Sequence, residues 1–320
     1  MNPLPVSPSV RARYHVVHET QVDYARPVTL SQQFLHMTPR SFACQQIESH
    51  ALWVTPTENE GVDGTDYFGD NTRQITITAP HRRLLVHAES TVALMQRPDL
   101  DGIRGSASWE SLRNRLQQGM ETTMADAYRF LYASPHVGCS LELEAFARTS
   151  YTPGRPQLDA ALELTQRIFD GFEFDPDATD ISTPLDEVLR GRRGVCQDFA
   201  QLMIGCLRSL GLPARYVSGY ILTHPPAGQP RLIGADASHA WVSVFCPDLG
   251  WVDFDPTNRC LVHHEHITLG WGRDFSDVTP MRGVVLGGGE QELEVRVTVT
   301  PLPLESVSRP GKQVPAGCLA

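Results

Sequence analysis

The chain predicts an α+β fold: a β domain first, then a helix carrying a cysteine and, later in sequence, a hairpin carrying a histidine and an aspartate. Three observations lead there. Residues 12–95 form short runs rich in β-branched and aromatic residues, separated by turn residues, as in a β-sandwich. From Trp109 onward, apolar residues recur at three and four positions, the spacing of a helix face. Ser238–Cys246 and Gly250–Pro256 flank Pro247-Asp248-Leu249 as the arms of a hairpin flank its turn.

The first strand candidate is Tyr14–Tyr24, followed by Gln46–Val54, which Thr55-Pro56 ends. Asp63–Asn71 carries turn residues at both ends, and Asn71–Thr78 and Arg83–Leu94 complete the β set. Its histidines at 15, 18, 36 and 50 read as framework or surface residues. Pro98–Ser108 is a linker. Helices are expected over 109–118, 122–132, 142–150 and 157–169. Thr183 reads as the N-cap of the next short helix, with Pro184 at N1 and acids in the first turn.

The central helix begins at Cys196. Phe199, Leu202, Met203, Cys206, Leu207 and Leu210 make its apolar face, and Gly211 with Pro213 stops it. Its N-terminus presents free N–H groups and the positive end of the helix dipole, so a thiolate placed there is favoured. Arg192 and Arg193, just upstream, act the same way. Pro213 releases the chain into a strand at 214–222, and His224–Pro230 reads as an exposed loop. Beyond the hairpin, Gly287-Gly-Gly289 reads as a hinge before a strand at 292–299 and a Pro-rich end.

Composition bounds the function. A chain of 320 residues suggests two domains, or one large domain with an appendage. With 27 Lys and Arg against 37 Asp and Glu the formal charge is −10, which argues against nucleic acid and anionic membranes as partners. Met1–Val10 has three prolines and no apolar run, so no signal peptide is read there, and no stretch has the roughly 18 apolar residues of a membrane span. The cysteines, at 44, 139, 196, 206, 246, 260 and 318, are odd in number and unpaired in spacing, as for reduced thiols. The expectation is a soluble cytoplasmic protein.

Thiol catalysis needs a base beside the sulfur and a third group to orient that base. His239 and Asp255 are the candidates. If the turn is centred on Asp248, residue 241 lies opposite 255 and 239 opposite 257. His239 and Asp255 are then diagonal neighbours on one face, roughly 7 Å apart at the backbone. A two-residue loop would put them on opposite faces. Asp253 shares the parity and is the rival orienter. Trp241, on the same face, reads equally as cleft wall or core. Asp198 is read as capping backbone or binding Arg215 sooner than as part of the site, and Asp236 is a lesser candidate for shaping the entrance. The Cys196 N–H is the expected oxyanion donor. His263-His-Glu-His266 lacks a partner cluster at ligand spacing, so no metal is expected, and Gly287-Gly-Gly289 lacks the lysine and helix of a phosphate loop. No cofactor is implied.

Taken together, Gly-Val-Cys196-Gln-Asp-Phe-Ala, Gly-Leu-Pro-Ala-Arg-Tyr-Val-Ser-Gly-Tyr220, Ser-His239-Ala-Trp-Val and Gly-Trp-Val-Asp-Phe-Asp255-Pro-Thr resemble the core of the bacterial transglutaminase-like superfamily over about residues 160–285. Residues 12–95 resemble that group's N-terminal β domain, with Phe-Gly-Asp70 standing where Phe-Gly-Asn is expected. The resemblance implies a papain-like core, with Cys196 as nucleophile, His239 as general base and acid, and Asp255 as orienter. It divides the chain into an N-terminal β-sandwich over 1–97, a helical linker region over 98–158, the catalytic core over 159–285, and a C-terminal strand and tail over 286–320. The reading is a thiol enzyme attacking a peptide or amide carbonyl, by hydrolysis rather than by acyl transfer to an amine. A non-catalytic binding module of the same fold is the rival from another class.

Overall fold

A computed structural model describes residues 10–119, 122–224 and 237–304. The β domain opens with β1 (Val10–Leu35), β2 (Gln45–Thr55), β3 (Glu60–Thr65), β4 (Asn71–Ile77) and β5 (His81–Met95). Helices α1 (Leu100–Arg104), α2 (Trp109–Gln118), α3 (Ala125–Tyr128), α4 (Leu141–Arg148) and α5 (Gln157–Gly171) follow. Then come β6 (Glu173–Phe174), α6 (Leu185–Gly191), β7 (Arg193–Gly194), α7 (Cys196–Ser209), β8 (Ala214–Ile221), β9 (Ala237–Cys246), β10 (Gly250–Asp255), β11 (Cys260–Leu261), β12 (His266–Gly272), α8 (Phe275–Val278), β13 (Met281–Gly287) and β14 (Gln291–Leu302).

One long strand organises the β domain. The first half of β1 lies between β5 and β14, with Tyr14 opposite both Val92 and Pro301. Its second half lies between β4 and β13, with Ser31 opposite both Ile77 and Val285. Ladder pairing with β5 breaks between Asp23 and Val28, around Pro27, which has no N–H to give. The sheet folds back on itself there. Val22, Tyr24, Leu84 and Val86 of one half share a core with Val28, Leu35, Ile75 and Ile77 of the other. The strand foreseen at 292–299 therefore belongs to the N-terminal sheet and pairs with β1 along its length.

The second sheet runs β11-β10-β9-β8-β12, antiparallel throughout. Even-numbered residues Ala240, Val242, Val244, Val252 and Phe254 pack with α7 in the largest core cluster. A second cluster joins the two sheets: Tyr14, Val16, Val92 and Val299 against Tyr220, Ile267 and Leu269. His18 crosses that seam, 2.8 Å from the Tyr220 hydroxyl, and burial lowers its pKa to about 4.

Two helix expectations shift. Residues 122–132 hold only a 3₁₀ turn at Thr122–Met124 and α3. Thr183 does not cap α6: Pro184 takes the capping position, and the Thr183 hydroxyl accepts the Asp180 N–H at 3.0 Å within the preceding turn.

Candidate active site

Helix α7 starts where Asp198 turns back to accept the Val195 N–H at 2.8 Å, while Thr179 donates to the same carboxylate at 2.6 Å. Asp198 is thus a capping residue. The alternative, a bond to Arg215, does not form: that guanidinium lies between Trp251 and Trp271. Gly194 is required for the approach, since a Cβ there would lie 2.7 Å from Asp198 Oδ2. At its other end α7 stops in a Schellman turn, with Leu212 N–H to Leu207 O at 3.0 Å and Gly211 N–H to Arg208 O at 2.9 Å. Half-buried Cys196 is held at the first turn of this helix.

The hairpin has the register centred on Asp248: Trp251 lies opposite Phe245 and Phe254 opposite Val242. His239 and Asp255 therefore share a face, and His239 Nε2 lies 2.7 Å from Asp255 Oδ2. Asp253 is engaged elsewhere, accepting from Arg97 at 2.6 Å. Trp241 is fully buried and packs with Val217 and Val262, so it is core and not an exposed wall. Asp236 and the loop 225–236 lie outside the described residues.

Asp255 accepts five hydrogen bonds. Oδ2 takes His239 Nε2, His266 Nε2 at 2.9 Å and Asn258 Nδ2 at 2.7 Å; Oδ1 takes the N–H groups of Thr257 and Asn258 at 2.9 and 3.1 Å. Burial opposes its charge, but the two histidines outweigh burial and hold the carboxyl far below its usual range. Burial likewise opposes charge on His239. The Asp255 bond and the adjacent Cys196 outweigh it, and the imidazole rises to about 10. With Nε2–H given to Asp255, Nδ1 is the nitrogen left for the sulfur. Near Cys196, burial first and then the charges of Cys196 and Asp198 keep the Tyr216 phenol protonated well above its ordinary range.

His266 was not foreseen in this role. The run His263–His266 was expected to lack partners, yet His266 is fully buried against Asp255, and burial keeps it below its ordinary pKa despite that carboxylate. β12 is not a neighbour of β10, so His266 reaches Asp255 only because the sheet curls. Gly219 makes room for the curl: a Cβ there would meet Ile267 O at 2.2 Å and the Trp241 ring at 2.4 Å. His239, Asp255 and His266 form a cluster of possible metal ligands. Tetrahedral zinc holds nitrogen and oxygen ligands roughly 3.3 Å apart, from bonds of about 2.0–2.1 Å. The contacts at 2.7 and 2.9 Å on one oxygen are instead those of N–H donors.

Comparisons with known proteins bear on the fold and the family. The pattern of the bacterial transglutaminase-like N-terminal region matches residues 14–93, and that of the transglutaminase-like superfamily matches residues 144–256. An uncharacterized protein of Mycobacterium tuberculosis is 36% identical over 296 residues, covering 90% of this chain and 93% of its own. A protein-glutamine gamma-glutamyltransferase of Pseudomonas aeruginosa is 39% identical over 83 residues, 26% of this chain and 12% of its own. A solved structure of a candidate cysteine protease from Cytophaga hutchinsonii has the same fold, with a TM-score of 0.73 over 92% of each chain at 19% identity. This chain, then, belongs to the transglutaminase-like superfamily, with matched stretches at residues 14–93 and 144–256.

Proposed function

We propose that this chain is a cysteine hydrolase of peptide or amide bonds, with Cys196 as nucleophile, His239 as general base and acid, and Asp255 as the group that orients His239. Membership of the superfamily supports a thiol-dependent enzyme in general. One observation carries the finer reading: a half-buried thiol at a helix N-terminus interacts with an imidazole whose Nε2 is bound at 2.7 Å by a buried carboxylate. The Cys196 thiolate attacks the carbonyl carbon, and the Cys196 N–H stabilises the oxyanion. The C–N bond breaks as His239 gives its proton to the leaving amine. Water then attacks the thioester, His239 takes the water's proton, the C–S bond breaks, and the acid leaves.

Acyl transfer uses the same first half-reaction with an amine in place of water. The 83-residue likeness to a glutamyltransferase is the observation on its side. An amine of pKa about 10.4 must be delivered deprotonated, which requires a dry channel, whereas water needs none. The experiment feeds an acyl donor with and without millimolar primary amine and weighs the products. Free acid is expected to dominate, while amide as the main product at modest amine overturns the hydrolytic reading and leaves the thiol mechanism standing. Labelling of Cys196 by an electrophile no faster than of the other cysteines would instead favour a binding module. Work in the cytoplasm, on a peptide or amide, without a nucleic-acid or membrane partner, completes the proposal. Among the described residues no helix is long and apolar enough to cross a membrane, and the six described cysteines are free.

A further inference from the structure

The odd-numbered face of the catalytic sheet continues past His239 and Asp255 to a second place of unusual chemistry. Arg215 on β8 lies opposite Ser243 on β9, which lies opposite Asp253 on β10. This row is four residues along β9 from His239, about 13 Å at strand rise. Arg215 is only 5% exposed, and its guanidinium Nε is buried without a hydrogen-bond partner. It is stacked 3.7 Å from the centre of Trp271 and 4.3 Å from that of Trp251. Burial pulls its pKa down to about 9, against the more distant charges of Asp253 and Asp126. Ser243 Oγ and Arg97 Nε are also buried without partners. A buried N–H left without an acceptor is costly and calls for an explanation.

The arginine opens on a cavity of about 360 Å³ walled by Phe42, Arg97, Trp251, Asp253 and Trp271. We propose that this cavity is a second binding site, separate from the Cys196 centre, for a small molecule bearing one carboxylate on a flat ring. The carboxylate is received by the terminal N–H groups of Arg215, and the ring lies among Phe42, Trp251 and Trp271. Planar guanidinium N–H groups match a carboxylate in a way that water does not. A monoanion suits the site better than a phosphate dianion, because Asp126 and Asp253 already line the cavity. Arg97 is itself neutralised by Asp253 at 2.6 Å, which leaves Arg215 as the one cation to be matched.

The probe is benzoate, with uncharged benzamide as control, added to the full chain carrying Cys196→Ala. Two readouts are independent: quenching of tryptophan fluorescence, since Trp251 and Trp271 wall the site, and the rate of Cys44 alkylation, since Cys44 also lines the cavity. Saturable quenching by millimolar benzoate is expected, with slowed Cys44 labelling and affinity about tenfold above that of benzamide, as one charge-assisted contact provides. Arg215→Gln is expected to erase that preference. Should Arg215→Gln fail to fold, Cys44 protection in the parent chain still decides. Equal binding of benzamide overturns the proposal, as does benzoate that neither quenches nor protects.

Discussion

The two faces of the hairpin β9–β10 are built from alternate residues of the same strands and are almost equally buried. Their chemistry is nevertheless opposite. Toward α7 stand Ala240, Val242, Val244, Val252 and Phe254, at most 2% exposed and without a polar side-chain atom among them. On the other face stand His239, Trp241, Ser243, Asp253 and Asp255, with Arg215 beside them on β8. Burial therefore does not distinguish them; provision for hydrogen bonding does. The second face also differs along its own length. At one end Asp255 receives five donors. At the other, Arg215 and Ser243 have orphaned atoms. One end has its carboxylate fully paired, and the other keeps unpaired polar atoms.

Substitutions test this division, and the largest effect is expected at the sulfur. Cys196→Ala should lower turnover by about a millionfold, to background, while circular dichroism and Tm stay close to wild type. Residual activity near the wild-type level on a substrate found by screening would remove Cys196 from the mechanism.

Asp255→Asn comes next, with a loss of about 10³- to 10⁴-fold, as for other triads deprived of their carboxylate. It should also move the pH profile. His239 is raised to about 10, so its imidazolium persists above the ordinary 6.5 and is lost only as pH rises through about 10. The alkaline limb of kcat/KM should therefore lie near 10 in wild type and fall toward 6.5 in Asp255→Asn. An alkaline limb already at 6.5 in wild type would mean that Asp255 does not hold the imidazolium. The linked stability has the same sign: the His239 contribution is full below 6.5 and fades as pH climbs through about 10.

His266→Phe removes one of the donors to Asp255, and kcat should fall about ten- to hundredfold with little change in KM. His266→Gln keeps an N–H and should recover most of the rate; a merely space-filling role predicts that Phe does better than Gln. The smallest effect on turnover belongs to the apolar face. Val242→Ala should cost about 2 kcal/mol in denaturant unfolding and leave kcat per folded molecule unchanged. A large loss of kcat there would blur the division between the faces.

His239 and Asp255 were legible because residue parity and one turn register determine their relation, and both lie within a single hairpin. His266 was not. It is drawn in by pairing between β8 and β12 and by the curl that Gly219 permits, and neither is written in local spacing. The His263–His266 run was visible as a signal, but with metal as its obvious meaning. Asp198 was narrowed to two roles, and only the three-dimensional position of Arg215 between two tryptophans decided between them. Thr183 had the right chemistry for a cap, but its hydroxyl is used one turn earlier. The pairing of β14 with β1 joins positions as far apart as Arg13 and Leu302, and no local pattern announces such a contact.

That last pairing sets an order of assembly. A chain emerging from the ribosome, at about 5–20 residues per second, completes α7 and the hairpin well before Gln291–Leu302 appears. Until then the first half of β1 has β5 on one side and a bare backbone edge on the other. The domain that comes first in the sequence is the last to close. A chain cut before Gln291 would keep Cys196, His239 and Asp255 and expose a long sticky strand, so its failure would be clumping in the cell rather than a change at the thiol.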